Sequence, residues 1–69
     1  MDLTTGSQIR IRRFNAQGGL HFDKVGRVLE RDGRWFRFQD ENGRRAWLDA
    51  DPTAIGRTMT GWRQTYEVL

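Results

Sequence analysis

RWFRFQDENGRRAWL, residues 34–48, sets four aromatic rings and four arginines around a single turn, and the way that turn closes decides which side chains share a face. Closed as a two-residue Asn42-Gly43 loop of type I′, it pairs Phe38 with Trp47, Phe36 with Asp49 and Arg37 with Leu48, so that each face mixes apolar with charged. Closed as a type I turn from Asp40, with Gly43 in a left-handed bulge, it has aspartate first and glycine fourth, both favoured there. Phe38 then lies opposite Ala46 and Phe36 opposite Leu48 on one face. Gln39 lies opposite Arg45, Arg37 opposite Trp47 and Trp35 opposite Asp49 on the other. A slip of one residue turns every side chain to the opposite face, so the register follows the solution with one coherent apolar side. That is the bulged turn. It sends Phe36, Phe38, Ala46 and Leu48 to the core and leaves Trp35, Arg37, Arg45 and Trp47 together on the reverse, where an Arg37–Trp47 contact would be a cation–π pair of about 0.5–1 kcal/mol.

Outward from this hairpin, turn formers recur at short intervals: Asn15 to Gly19, Asp32-Gly33, Asp51-Pro52, Gly56 and Gly61. Such spacing predicts a mainly β domain. Gln8 to Phe14 alternates, with Ile9 and Ile11 on one face and Arg10 and Arg12 on the other, and Leu20 and Phe22 alternate around His21. Val25 to Glu30 reads as a further strand, with Gly26 as a bulge or bend. The preceding hairpin, at Asp32-Gly33, admits two registers: a three-residue loop sets Val28 beside Phe36, a two-residue loop sets Leu29 there. Asp51 reads as a helix N-cap with Pro52 at the first helical position, the turn ending by Gly56. From Thr58 to Leu69 the period returns to two, with Trp62, Tyr66 and Val68 on the inner face.

The expected architecture is a single small domain over residues 1–69. It is a curled antiparallel sheet of five to six strands with one short helical turn before the last strand. In general outline this resembles an SH3-like barrel, whose closure removes exposed edges. No family motif accompanies the resemblance.

Size and composition bound the function. A chain of 69 residues buries only about 60% of its unfolded surface, and its core supplies at most roughly 3–5 kcal/mol. Cysteine is absent, so neither disulfides nor thiolate sites reinforce it, and a reducing cytoplasm is the expected compartment. No apolar run approaches the roughly 20 residues of a membrane helix, and the polar start lacks a signal-peptide core. The chain is therefore expected to be soluble.

Chemistry is hard to build from these residues. The lone histidine, His21, lacks a nucleophilic partner and a second imidazole for a metal, and the acidic residues mostly flank turns. The glycines fit neither the phosphate-loop nor the dinucleotide pattern. The expectation is a protein without catalytic residues, metal or cofactor. Of its twelve basic residues against nine acidic, which give a net charge of +3, all but Lys24 are arginine, a side chain suited to phosphate and to flat rings. A GC-rich genome explains the same skew. Small β domains bind nucleic acid by joining a basic surface to exposed rings. The expected binding residues are Trp35, Arg37, Arg45 and Trp47, with Arg44, Arg10, Arg12 and Arg34 around them. The expected partner is DNA or RNA. The alternative is a protein-interaction or homo-oligomeric accessory module using the same face, since tryptophan and arginine are also enriched in protein interfaces.

Overall fold

The turn at Asp40 closes as the bulged form. In the computed structural model, which describes residues 3–69, Gly43 N–H donates to Asp40 O at 3.0 Å and Asp40 N–H to Arg44 O at 2.9 Å. Gly43 has φ of +81°, a left-handed conformation that costs glycine little. The Asp40 carboxylate accepts from the backbone N–H groups of Asn42 and Arg44 at 2.9 and 3.0 Å, tying the turn internally. The two strands it joins, β3 (Trp35–Asp40) and β4 (Arg45–Asp49), pair in the expected register: Phe36 with Leu48, Arg37 with Trp47, Phe38 with Ala46.

Five strands form one antiparallel sheet in the order β4-β3-β2-β1-β5, with β1 Gln8–Phe14, β2 Leu20–Asp32 and β5 Arg63–Val68. The two segments expected around His21 and Val28 are one long strand, β2. Among the described residues β4 and β5 are the two edges and do not pair with each other, so the sheet is open and not a closed barrel. It curls enough for the Tyr66 hydroxyl on one edge strand to donate to Asp49 O on the other.

The core fills the inside of the curl. Ile9, Ile11, Val28 and Phe36 are fully buried, Phe38, Tyr66 and Leu3 nearly so. Each such aliphatic or aromatic side chain contributes about 1.5–3 kcal/mol. Phe36 and Tyr66 meet edge to face at 5.5 Å, linking β3 to β5 across the sheet. Leu48 is half-buried against this cluster, whereas Ala46 is exposed, because β4 has no neighbour beyond it to cover its outer end. Leu20, expected half-buried, is also exposed, and Val68 at the C-terminal edge is 47% exposed.

The Asp32-Gly33 hairpin takes neither expected register. Asp32 pairs with Trp35, leaving Gly33-Arg34 as the loop, and Arg31 lies opposite Phe36. Gly33 has φ of +57° and no other loop residue is left-handed, which is the type II′ requirement of glycine at the first central position. A type I′ loop at Asp32-Gly33 would instead force a left-handed aspartate. The chain recovers its phase at Leu29, an extra residue between Val28, opposite Phe38, and Glu30, opposite Arg37. This bulge, rather than one at Gly26, restores Val28 to the core. Gly26 serves close packing: a Cβ there would collide with Gln39 O and stand 2.6 Å from the Phe38 ring.

The helix also begins later than expected. Asp51 Oδ1 accepts from Thr53 N–H at 2.9 Å and Ala54 N–H donates to Asp51 O, so Asp51-Pro52 opens a turn. The helical turn that follows, α1 (Ile55–Thr58), contains Gly56 and has no side-chain cap. Residues 59–62 form another turn, with Gly61 at φ of +85°, so the closing strand is shorter than its period-two pattern. Trp62 is half-buried outside the core, edge-on to exposed His21 at 4.8 Å.

Candidate nucleic-acid interface

The bulged register leaves the reverse of β3 and β4 with two indoles and several guanidinium groups in water. Trp35 is 43% and Trp47 47% exposed, both far outside the buried cluster. They are diagonal neighbours on one face, since Trp35 faces Asp49 and Trp47 faces Arg37. Among the described residues they do not stack on each other, the close ring pairs being His21 with Trp62 and Phe36 with Tyr66. Asp32, Trp35 and Trp47 bound a shallow depression of about 350 Å³.

Arg34, in the Gly33 turn, lies with its guanidinium 4.9 Å from the Trp35 ring centre while its other nitrogens hold the Asp49 carboxylate. This is the cation–π pair of the face. Arg37 and Trp47 are cross-strand neighbours, as the register requires, without forming one. Backbone N–H of Asp51 and then the Arg34 guanidinium hold the Asp49 carboxyl below its ordinary pKa. The Arg34 contact ties the end of β4 to the β2–β3 turn.

The expected basic residues fall into two groups. Arg37 and Arg45 stand on the tryptophan face, with Arg44 in the adjoining turn, and none of the three has an ion-pair partner among the described residues. Arg10 and Arg12 lie on β1, with β2 and β3 between them and β4. Both turn to Asp23 on β2, Arg10 by two hydrogen bonds at 2.8 and 2.9 Å and Arg12 at 3.7 Å. The hydrogen bond from Arg10 depresses the Asp23 pKa and raises that of Arg10 itself. Arg10 and Arg12 therefore share one carboxylate, with Arg10 the one neutralised by it, and both stand apart from the tryptophans.

Arg27 belongs to the face and was not among the expected residues. It is exposed, lies opposite Gln39, which lies opposite Arg45, and so completes a row Arg45–Gln39–Arg27 across three strands. The bulge at Leu29 is what brings it there. The two-residue Gly33-Arg34 loop places Asp32 beside Trp35 and Glu30 beside Arg37. The face is basic towards the Gly43 turn and acidic towards the Gly33 turn.

A second feature, absent from the sequence reading, is a cleft of about 460 Å³ between the open edges of the sheet. Trp47, Leu48 and Asp49 form one wall, and Ile55, Met59 and Tyr66 stand on the other. Burial raises the Tyr66 pKa above its ordinary value, against the lowering effect of its hydrogen bond with Gln64. No group of three or more His, Asp or Glu side chains gathers among the described residues, and no described helix is long and apolar enough to cross a membrane.

Compared with known proteins, the chain matches no protein-family model, no curated protein and no solved structure. The functional reading rests on the geometry of the molecule itself.

Proposed function

We propose that this chain is a small, non-catalytic nucleic-acid-binding module of SH3-like type, acting in the cytoplasm. In this reading, bases stack on Trp35 and Trp47 while Arg27, Arg37, Arg44 and Arg45 neutralise phosphates. The observation that carries it is the pair of indoles, 43% and 47% exposed, on the same face as arginines with no ion-pair partner among the described residues. An exposed indole is an expense in water unless something covers it, and a base offers a flat face of matching chemistry. Single strands suit the site best, because their bases are free to leave the stack. The five-strand order with a helical turn before the last strand supports the SH3-like outline, and the lack of cysteine suits a reducing compartment. His21, exposed and turned to Trp62, supports a role without catalysis.

A fluorescence titration with an oligodeoxythymidine and with a duplex, over a salt series, tests the reading. Four neutralised phosphates give a log–log slope of about −2.8 on the single strand and about −3.6 on the duplex. No binding at low salt removes the proposal. The same surface would then be read as a protein interface, for which aromatic and arginine side chains are equally suited.

A further inference from the structure

The outer edge of β4 is regular, exposed and self-complementary. β4 pairs with β3 without a bulge, carries no proline, and on its other side pairs with nothing among the described residues. Edges are normally blunted by a bulge, a proline, a covering element, shortness or charge, and of these β4 has only its length of five residues and the opposite charges at its two ends. The opposite edge is covered in part, because α1 packs on β5 and stands across the cleft from β4.

The bonds flanking the β3–β4 ladder, Asp40 N–H to Arg44 O and Ala50 N–H to Arg34 O, fix which backbone groups it uses. In an antiparallel pair the bonded residues alternate, so Ala46 and Leu48 point their N–H and C=O groups at β3. Those of Arg45, Trp47 and Asp49 point away. An antiparallel strand centred on Trp47 would meet all three. For a second copy of this chain that register sets Trp47 opposite Trp47, and Arg45 opposite Asp49 twice over by the twofold axis.

We propose that two copies pair along β4, Arg45 to Asp49, into one continuous ten-stranded sheet. The charges at the ends of RAWLD are opposite and exchange across the axis, Arg45 of one copy joining Arg34 at the Asp49 carboxylate of the other, and the apolar centre meets itself, as an isologous interface requires. The cleft beside Trp47, Leu48 and Asp49 is open space on that edge into which the second copy's Arg45 end runs. Asp49 O already accepts from Tyr66, but a carbonyl has two acceptor sites. The pairing is short, so association is weak and depends on concentration. It also brings two tryptophan faces side by side on one surface, independently of what they bind.

Sedimentation of the full chain over a rising concentration series tests this. The mass is expected to climb from 8.1 kDa towards twice that value. Trp47→Pro removes an N–H that serves only the pairing, and is expected to stay at 8.1 kDa with unchanged circular dichroism. Arg45→Asp sets like charges opposite each other and is expected to weaken association at least about tenfold, since such juxtaposition costs several kcal/mol. Amide exchange gives a readout in the unaltered chain: protection at Arg45, Trp47 and Asp49 rises with concentration while that at Ala46 and Leu48 does not. A chain that remains monomeric at millimolar concentration overturns the proposal. So does a Trp47→Pro chain that folds and associates like the parent, or exchange at those three amides that does not depend on concentration.

Discussion

Phe38 lies across Gly26, its ring 2.6 Å from where a Cβ on that glycine would stand, while Gln39 O blocks the same space from the neighbouring strand. Gly26 faces Ile9 on one side and Asp40 on the other. The middle of the sheet is thus packed through the absence of one side chain.

Gly26→Ala is expected to destabilise the domain by about 1–3 kcal/mol, the usual cost of overpacking a filled core. Since each kcal/mol moves the midpoint of so small a domain by roughly 4–8 °C, a thermal melt reads it directly. A midpoint within a degree of the parent's would show that the strands can part at no cost, and the packing account would fail.

Trp35→Ala and Trp47→Ala are each expected to weaken oligonucleotide binding by about 1–3 kcal/mol while leaving the melting midpoint nearly unchanged. Arg37→Ala is expected to reduce the salt slope by roughly 0.7–0.9, and Arg10→Ala to change it little, because Asp23 already neutralises Arg10. Binding and salt titrations of the four variants check this together. Equal losses from Arg10→Ala and Arg37→Ala would place the phosphates elsewhere on the molecule.

Acid is expected to destabilise the fold. The carboxyl groups of Asp23, Asp40, Asp49 and Asp51 all have pKa values below their ordinary 3.8. For Asp40, burial alone would raise the value, but the N–H groups of Arg44 and Asn42 and the Lys24 ammonium outweigh it. A depressed carboxyl pKa stabilises the folded state above the unfolded value and loses that contribution as pH falls through the folded value. Urea midpoints should therefore decline below about pH 4, and Asp40→Asn should flatten part of that decline.

Alkali acts through Tyr66. Its hydroxyl, buried between Gln64 and Asp49 O, has a pKa raised above the ordinary 10.0. A raised pKa stabilises the fold fully below the unfolded value and loses that contribution as pH rises through the folded one. Tyr66→Phe should remove this alkaline loss and cost about 0.5–1.5 kcal/mol at neutral pH, the net worth of a hydrogen bond. Denaturant midpoints at pH 7 and above 10 measure both effects.

The β3–β4 register was legible because two local facts agreed: aspartate and glycine at the favoured turn positions, and a single slip that gathers Phe36, Phe38, Ala46 and Leu48 on one side. Phe36 and Phe38 in the core and Trp35 and Trp47 outside it follow from that register alone. At Asp32-Gly33 no such agreement exists, since both expected registers set an aliphatic residue beside Phe36, and the chain settles the matter with an extra residue at Leu29 that periodicity does not mark. Arg27 was missed for the same reason. Closure of the barrel was over-read, because strand number and length say nothing of whether two edges come within hydrogen-bonding distance. The pairing of Arg10 and Arg12 with Asp23 lay beyond reach until β1 and β2 were in register.

The odd residue of β2 also sets the electrical character beside the indoles. With it at Leu29, the hairpin presents Glu30 and Asp32 next to Arg37 and Trp35, and Arg31 turns inward to Leu3 O and Gly33 O. Moved into the turn, with no change in chain length, it would present Leu29 and Arg31 instead and drive Glu30 towards Phe36. One supernumerary position therefore acts as a polarity selector for this end of the surface.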